Sequence, residues 1–195
     1  MSLPRGALVA CLLAASSTAL AGCRHRSKTP EEAFERLRTA VEAADGGKLF
    51  DALDQETRWA YLSIQKWHRE AYDIVLSNYP EGPERDREER RFERGATASS
   101  ARELFRADVA PTLIPTLRPL VSASPTFEHG PGGREATAVL PSGIRVPFAE
   151  GEDGGWGYAG LVKRTVEEKN RSFHDLEVVR ASAADYERAA ARAAK

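Results

Sequence analysis

Thiols are nearly missing from this chain. Its 195 residues include two cysteines, Cys11 and Cys23, and the first lies in a short apolar run close to the N-terminus. If that run is removed as a leader, Cys23 is the one cysteine left, so an internal disulfide and thiolate metal sites are excluded. Histidine is also scarce. None of the four, His25, His68, His129 and His174, stands at a local ligand spacing such as His-x-x-x-His. There is no Gly-x-Ser-x-Gly elbow and no phosphate-cradling Gly-Lys-Ser loop. No metal or cofactor is therefore expected. An excess of basic charge is missing too: 28 Lys and Arg face 29 Asp and Glu. Affinity for nucleic acid rests on Lys and Arg clustered against phosphates, so nucleic acid is set aside as a partner.

What the chain does carry begins with its first residues. Arg5 supplies a positive charge, Ala7 to Ala15 is rich in Leu, Val and Ala, and small residues follow up to Gly22. The run is too short to span a bilayer and has the form of a secretory signal. Leu20-Ala21-Gly22-Cys23 then closes it. These four residues resemble the lipobox of bacterial lipoprotein precursors at every position. The resemblance implies cleavage between Gly22 and Cys23, a diacylglyceryl thioether on Cys23, and often an N-acyl chain. Two or three acyl chains hold a protein on a membrane almost permanently, at about 0.8 kcal/mol per buried methylene. Arg24 replaces the Asp that retains many such proteins in the inner membrane. By the same resemblance, the protein is expected on the outer membrane, facing the periplasm.

Residues 23–28 then form a short tether, and 29–195 form one domain. Thr29-Pro30-Glu31-Glu32 has a capping residue, a first-turn proline and a Glu three past the cap, the pattern of a helix start. Phe34, Leu37 and Val41 continue at helical spacing up to Asp45-Gly46-Gly47. A short helix with Leu49, Phe50 and Leu53 follows. Asp54 reads as the cap of a third helix running to about Ser77, whose stripe is Ala60, Ile64, Trp67, Ala71, Ile74 and Val75, with Trp59 off to one side. Glu84 to Arg94 is almost wholly charged and predicts a solvated loop or an exposed helix; Phe92, its one apolar residue, argues against burial. Ser100 to Glu103 repeats the capping pattern. Pro111, Pro115 and Pro119 predict an irregular segment or short helical turns through Val121.

After Pro125 the apolar period shortens to two. Thr126–His129, Ala136–Leu140, Ile144–Phe148 and Trp156–Val162 are predicted strands of a small antiparallel meander, separated by Gly, Pro and Asp clusters. Pro147 suggests an edge position for the third. Phe173 to Ala194 reads as a C-terminal helix, with Thr165 a possible earlier start. The fold class is α+β, N-terminal helices packed on a small antiparallel sheet with a C-terminal helix. The helix opening at Thr29 to Phe34, the short helix at Asp45 to Leu53 and the late strand Gly154-Gly155-Trp156-Gly157-Tyr158 resemble nuclear transport factor 2-like, cystatin-like domains. That resemblance implies a curved sheet wrapped as a cone, in some relatives with an acid or base inside it.

The face shared by Ile144, Val146, Phe148, Trp156 and Tyr158 is an apolar wall with one hydroxyl. Phe148, Trp156 and Tyr158 are the candidate lining of a pocket for an apolar ligand. A filled core explains the same residues. Phe173-His174-Asp175 offers a base beside a carboxylate, but neighbours on a helix point in different directions. No catalytic residue is assigned. The leading expectation is a non-catalytic envelope lipoprotein that binds an envelope protein or an apolar ligand, with the membrane reached through Cys23. Two alternatives stay open, a cone-fold enzyme using Tyr158 or His174 as proton handler and a structural envelope component.

Overall fold

The computed structural model describes residues 26–194. Gly22, Cys23 and the segment expected to be a leader lie outside the described residues. In chain order the elements are α1 (Pro30–Glu42), α2 (Gly46–Asp51), α3 (Gln55–Asn78), α4 (Pro83–Thr97), α5 (Ala101–Asp108), α6 (Ala110–Val121), β1 (Thr126–His129), β2 (Glu135–Val139), β3 (Arg145–Glu150), β4 (Trp156–Tyr158) and α7 (Val162–Ala193). The arrangement is α+β, with the strands paired antiparallel in the order β1-β2-β3-β4.

Helix starts follow the capping chemistry. The Thr29 side chain accepts from the Glu32 N–H, and Glu32 reaches back to accept from the Lys28 N–H at 2.6 Å. Asp45 accepts from the N–H groups of Gly47 and Lys48, and Ser100 from that of Glu103. Each satisfies helix-end donors that have no partner inside the helix.

The molecule has two hydrophobic centres. The first, the head, joins α1, α2, α5, α6 and one face of the sheet around Phe34, Leu37, Leu49, Phe105, Leu117 and Phe148. The second is a three-helix bundle, where Ala71, Val75, Phe92, Leu176 and Val179 meet. Helix α3 belongs to both, with Tyr61 against Phe50 and Phe105 in the head and Val75 in the bundle. Along it, His68 meets Ser172 and Asn78 donates to Glu187, so α3 and α7 run parallel. Gln65 donates to the Ala98 carbonyl and Tyr72 to Glu89, so α4 runs antiparallel to α3.

Four elements differ from the sequence-based expectation. Residues 110–121 form a continuous helix despite Pro115 and Pro119. The two prolines and Pro111 are spaced by four, and all three are exposed, so the lost hydrogen bonds fall on one solvated strip. Each interior proline costs about 3 kcal/mol. Burial of Ile114, Leu117 and Val121 at about 1.5–3 kcal/mol each offsets that. Phe92 is 1% exposed rather than solvated. Gly95, one turn later, lets α4 approach so closely that a Cβ there would lie 2.3 Å from His68 Nδ1. His68 is accordingly half-buried.

Strand β3 is interior, not an edge. Pro147 is tolerated because its carbonyl accepts from the Ala159 N–H just past the end of β4, so its missing donor faces a strand that has stopped. Ile144 precedes β3 and is exposed, apart from the wall formed by Val146 and Phe148. Helix α7 begins at Val162 and runs for 32 residues, about 48 Å at 1.5 Å per residue.

One seam joins the sheet to the start of α3. The Tyr158 N–H donates to the Ala52 carbonyl, and the Asp54 N–H donates to the Tyr158 carbonyl. Gly157 lies so close that a Cβ would sit 2.4 Å from the Leu53 carbonyl oxygen and 2.5 Å from the Asp54 nitrogen. Backbone cannot step aside as a side chain tip can. Gly157→Ala is expected to lose about 1–3 kcal/mol through overpacking. Phe92→Ala is expected to lose about 3–5 kcal/mol by opening the bundle centre. Urea unfolding of the two variants beside the wild type measures both; a Phe92→Ala midpoint equal to wild type would return Phe92 to the surface.

Candidate functional site

The residues proposed from sequence as a pocket lining are brought together, but around a filled interior. Phe148 is 1% exposed; its ring lies 6.1 Å from that of Phe34 and 6.2 Å from that of Tyr158, and Phe34 also meets Phe127 edge-on. Tyr158 is buried, and burial raises its phenol above the ordinary tyrosine value. Trp156 is half-buried against the same cluster. Helix α1 covers this face of the sheet, with Phe34 as the plug. His174 stands exposed on α7, and its neighbour Asp175 pairs with Arg91 of α4. A close Ser–His contact among the described residues, Ser172 with His68 at 3.2 Å, is sealed between helices with Ser172 2% exposed. Burial there also lowers the His68 pKa.

A different place stands out by its unpaired polar atoms. Among the described residues, the buried side-chain oxygens without a hydrogen-bond partner are Asp54 Oδ1, Gln55 Oε1 and Thr57 Oγ1. All three lie in one stretch at the start of α3. Buried polar atoms without partners cost about 1–3 kcal/mol each, so their concentration in four residues marks the position. Asp54 and Gln55 line a cleft of about 350 Å³ together with Glu56, Trp59, Arg134, Ala149, Glu150, Gly151 and Glu152.

Local folding rules account for each wall. Asp54 is the cap of α3, its Oδ2 accepting from the Thr57 N–H at 3.1 Å, and the β4 seam holds it 3% exposed. Trp59 falls outside the α3 stripe and is 51% exposed. Arg134, just before β2, faces Glu150 at the end of β3; the Glu150 N–H donates to the Arg134 carbonyl and the side chains pair at 3.9 Å. The loop from Gly151 to Gly155 closes on itself through Gly151 and Gly154, the latter at φ +73°, a conformation that glycine adopts without strain.

The cleft is electronegative. Asp54, Glu56, Glu150 and Glu152 are set against Arg134, and Glu150 already engages that arginine. Burial raises the Asp54 pKa, opposed by the hydrogen bond that its Oδ2 accepts from the Thr57 N–H. The carboxylates do not converge tightly. Among the described residues, no group of three or more His, Cys, Asp or Glu is placed to hold a metal ion. The arrangement presents acceptor oxygens and an aromatic face, and the lining contains no histidine, cysteine or serine nucleophile.

Sequence reasoning read Asp54 as a cap and did not single out Gln55, Glu56, Arg134, Glu150 or Glu152 as a site. The usable signal was Trp59, a large aromatic off the apolar stripe five residues after the cap. The comparisons add no relative: no protein-family model, no curated protein and no solved structure matches the chain.

The raised Asp54 pKa has a stability consequence. The folded state binds the proton more tightly than the unfolded chain, so stability falls as pH rises from about 3.8 through the raised value. Asparagine caps a helix about as well as aspartate. Relative to Asp54→Asn, the wild type is expected to lose up to about 1.4 kcal/mol per pH unit across that window. Parallel urea titrations from pH 3 to 7 measure the difference; identical pH profiles would show that Asp54 is not held in a desolvated place.

Proposed function

We propose that this protein is a lipid-anchored, non-catalytic binding module of the bacterial envelope, held to the outer membrane through Cys23 and using the cleft at the start of α3 as its ligand site. The anchor rests on Leu20-Ala21-Gly22-Cys23. No helix among the described residues is long and apolar enough to cross a membrane, so a span within the body does not compete with that anchor.

The observation that carries the binding reading is the group of unpaired oxygens at Asp54, Gln55 and Thr57 beside an exposed Trp59. The course of the tether supports it. The Ser27 carbonyl accepts from the Trp156 N–H at 2.9 Å, and the Arg26 guanidinium engages Asp153 at 3.3 Å and the Asp153 carbonyl at 3.2 Å. The chain is thus fastened to the β3–β4 loop three residues after Cys23. Three residues span at most about 11 Å. That loop also forms one wall of the cleft, so the ligand site lies on the tethered side of the domain.

A cone-fold enzyme and a structural envelope component rank behind this reading. The inner sheet face, where such an enzyme would hold its acid or base, is filled by Phe34, Phe127, Phe148 and Tyr158. Helices first and a meander after them remain the whole content of the likeness to nuclear transport factor 2-like domains, and α7 follows the last strand.

Metabolic labelling with a clickable fatty acid in a bacterial host tests the anchor. Label on the wild type and none on Cys23→Ser, with the variant released from the membrane fraction, is the expected result. Undiminished label on Cys23→Ser would refute it.

A further inference from the structure

We propose that the face shared by α3 and α7, on the side away from α4, is a self-association surface. A second copy of this chain packs on it about a two-fold axis, α3 antiparallel to α3 and α7 antiparallel to α7. Helix α3 turns Arg69 and Tyr72 to α4, and Trp67 and Glu70 to α7. Beside Trp67 and Glu70 the face stays open. Phe173 is 47% exposed although its ring lies 5.2 Å from that of Trp67, and Lys66 and Glu177 are exposed next to them. Half-buried Val166, seven residues before Phe173, and Ile74, seven after Trp67, extend the apolar strip toward either end at helical spacing. Aromatic rings left open at the centre of a helix face are what the core of an interface buries.

The order of charge along the face identifies the occupant. On the head side of the aromatic pair, the nearest charges are Lys66 and Lys169; on the other side they are Glu70, Asp73 and Glu177. Arg180 pairs with both Glu70 and Glu177, so three carboxylates less one guanidinium leave two negative charges against two positive ones. The face complements itself when it is reversed end to end. Both helices give the same register. Lys66 and Glu70 are centred on residue 68, and Lys169 and Glu177 on residue 173. Those two positions stand at one level of the bundle, where His68 meets Ser172 at 3.2 Å and Trp67 meets Phe173. A two-fold axis through that level sets Lys66 opposite Glu70 of the second copy and Lys169 opposite Glu177 of the second copy, with the two Phe173 rings side by side. Such a contact is isologous, makes each pair twice, and closes at two subunits. A partner of one charge sign would match one half of the face and oppose the other.

Sedimentation equilibrium of the full chain in density-matched detergent tests the pairing, and its readout depends neither on the cleft nor on lipid at Cys23. A monomer–dimer equilibrium is expected, weakened as salt is raised. Phe173→Ser is expected to weaken the dimer roughly tenfold or more. Lys169→Glu and Glu177→Lys are each expected to weaken it roughly tenfold, because either change opposes like charges twice per dimer. Lys169→Glu combined with Glu177→Lys restores the pairs in exchanged order, and affinity is expected to return to within about threefold of wild type. The two residues are eight apart on one helix and do not meet within a copy, so that recovery reads the contact between copies. Phe173 and Glu177 are exposed, so their variants keep the fold, with urea midpoints near that of the wild type. A monomer at every concentration would overturn the proposal and leave the face to a different protein. A dimer that neither charge reversal weakens, or that the double exchange does not restore, would overturn it as well, since its contact would lie elsewhere or in another register.

Discussion

The seam between β4 and the backbone of Ala52–Asp54 is the constraint on which the rest of the molecule depends. Two backbone hydrogen bonds and the missing side chain of Gly157 bring the last strand against the link between α2 and α3. Three placements follow from that single contact. Asp54 is forced into the interior at the moment it caps α3, so only one of its oxygens is used by the helix. The β3–β4 loop is carried alongside Gln55, where Gly151 leaves room for the amide. And the chain leaves β4 at a point from which α7 can run beside α3 for its whole length. A head and a bundle that share only one long helix are thereby made into one body.

The bundle shows which forces hold a helix as charged as α4. Its ion pairs, Arg87 and Arg91 with Glu88 and Arg94 with Asp108, keep their guanidinium groups in solvent and contribute about 0–1 kcal/mol each. One phenylalanine inserted between α3 and α7 contributes several times that. Arg91 joins the two effects, its guanidinium lying 5.2 Å over the Phe92 ring while it pairs with Asp175 across the groove. The charged residues set where α4 meets solvent, and Phe92 sets where it meets the protein.

The same balance explains how much could be read in advance. Thr29, Asp54 and Ser100 were legible as caps because capping is local: a side chain, two or three residues of backbone, and nothing more. The β1 boundaries and the antiparallel meander were legible from the period of two. Phe92 was not, because one apolar residue among ten charged ones carries no period, and its burial depends on Gly95 and on a helix that begins seventy residues later. Helix α6 was misjudged because proline's cost is local, whereas the offsetting burial of Ile114, Leu117 and Val121 is not. The cleft was illegible for a related reason. A capping aspartate looks the same in sequence whether its second oxygen meets solvent or is walled off by β4, and that wall is built about a hundred residues further on.

The separation between α3 and α7 has a consequence for how the molecule comes into being. Several contacts that close the fold join early chain to late chain: Ser27 to Trp156, Leu53 to Tyr158, His68 to Ser172 and Asn78 to Glu187. Local order in α1 and α2 can form as soon as those residues exist, but their sheet cover and the second flank of α3 cannot. Closing such long loops carries its entropic cost before any reward, and chains with this pattern fold slowly. The apolar side of α1 therefore waits for the sheet, and that of α3 for the final helix. During that interval, the chain is most exposed to proteases and to holding by chaperones.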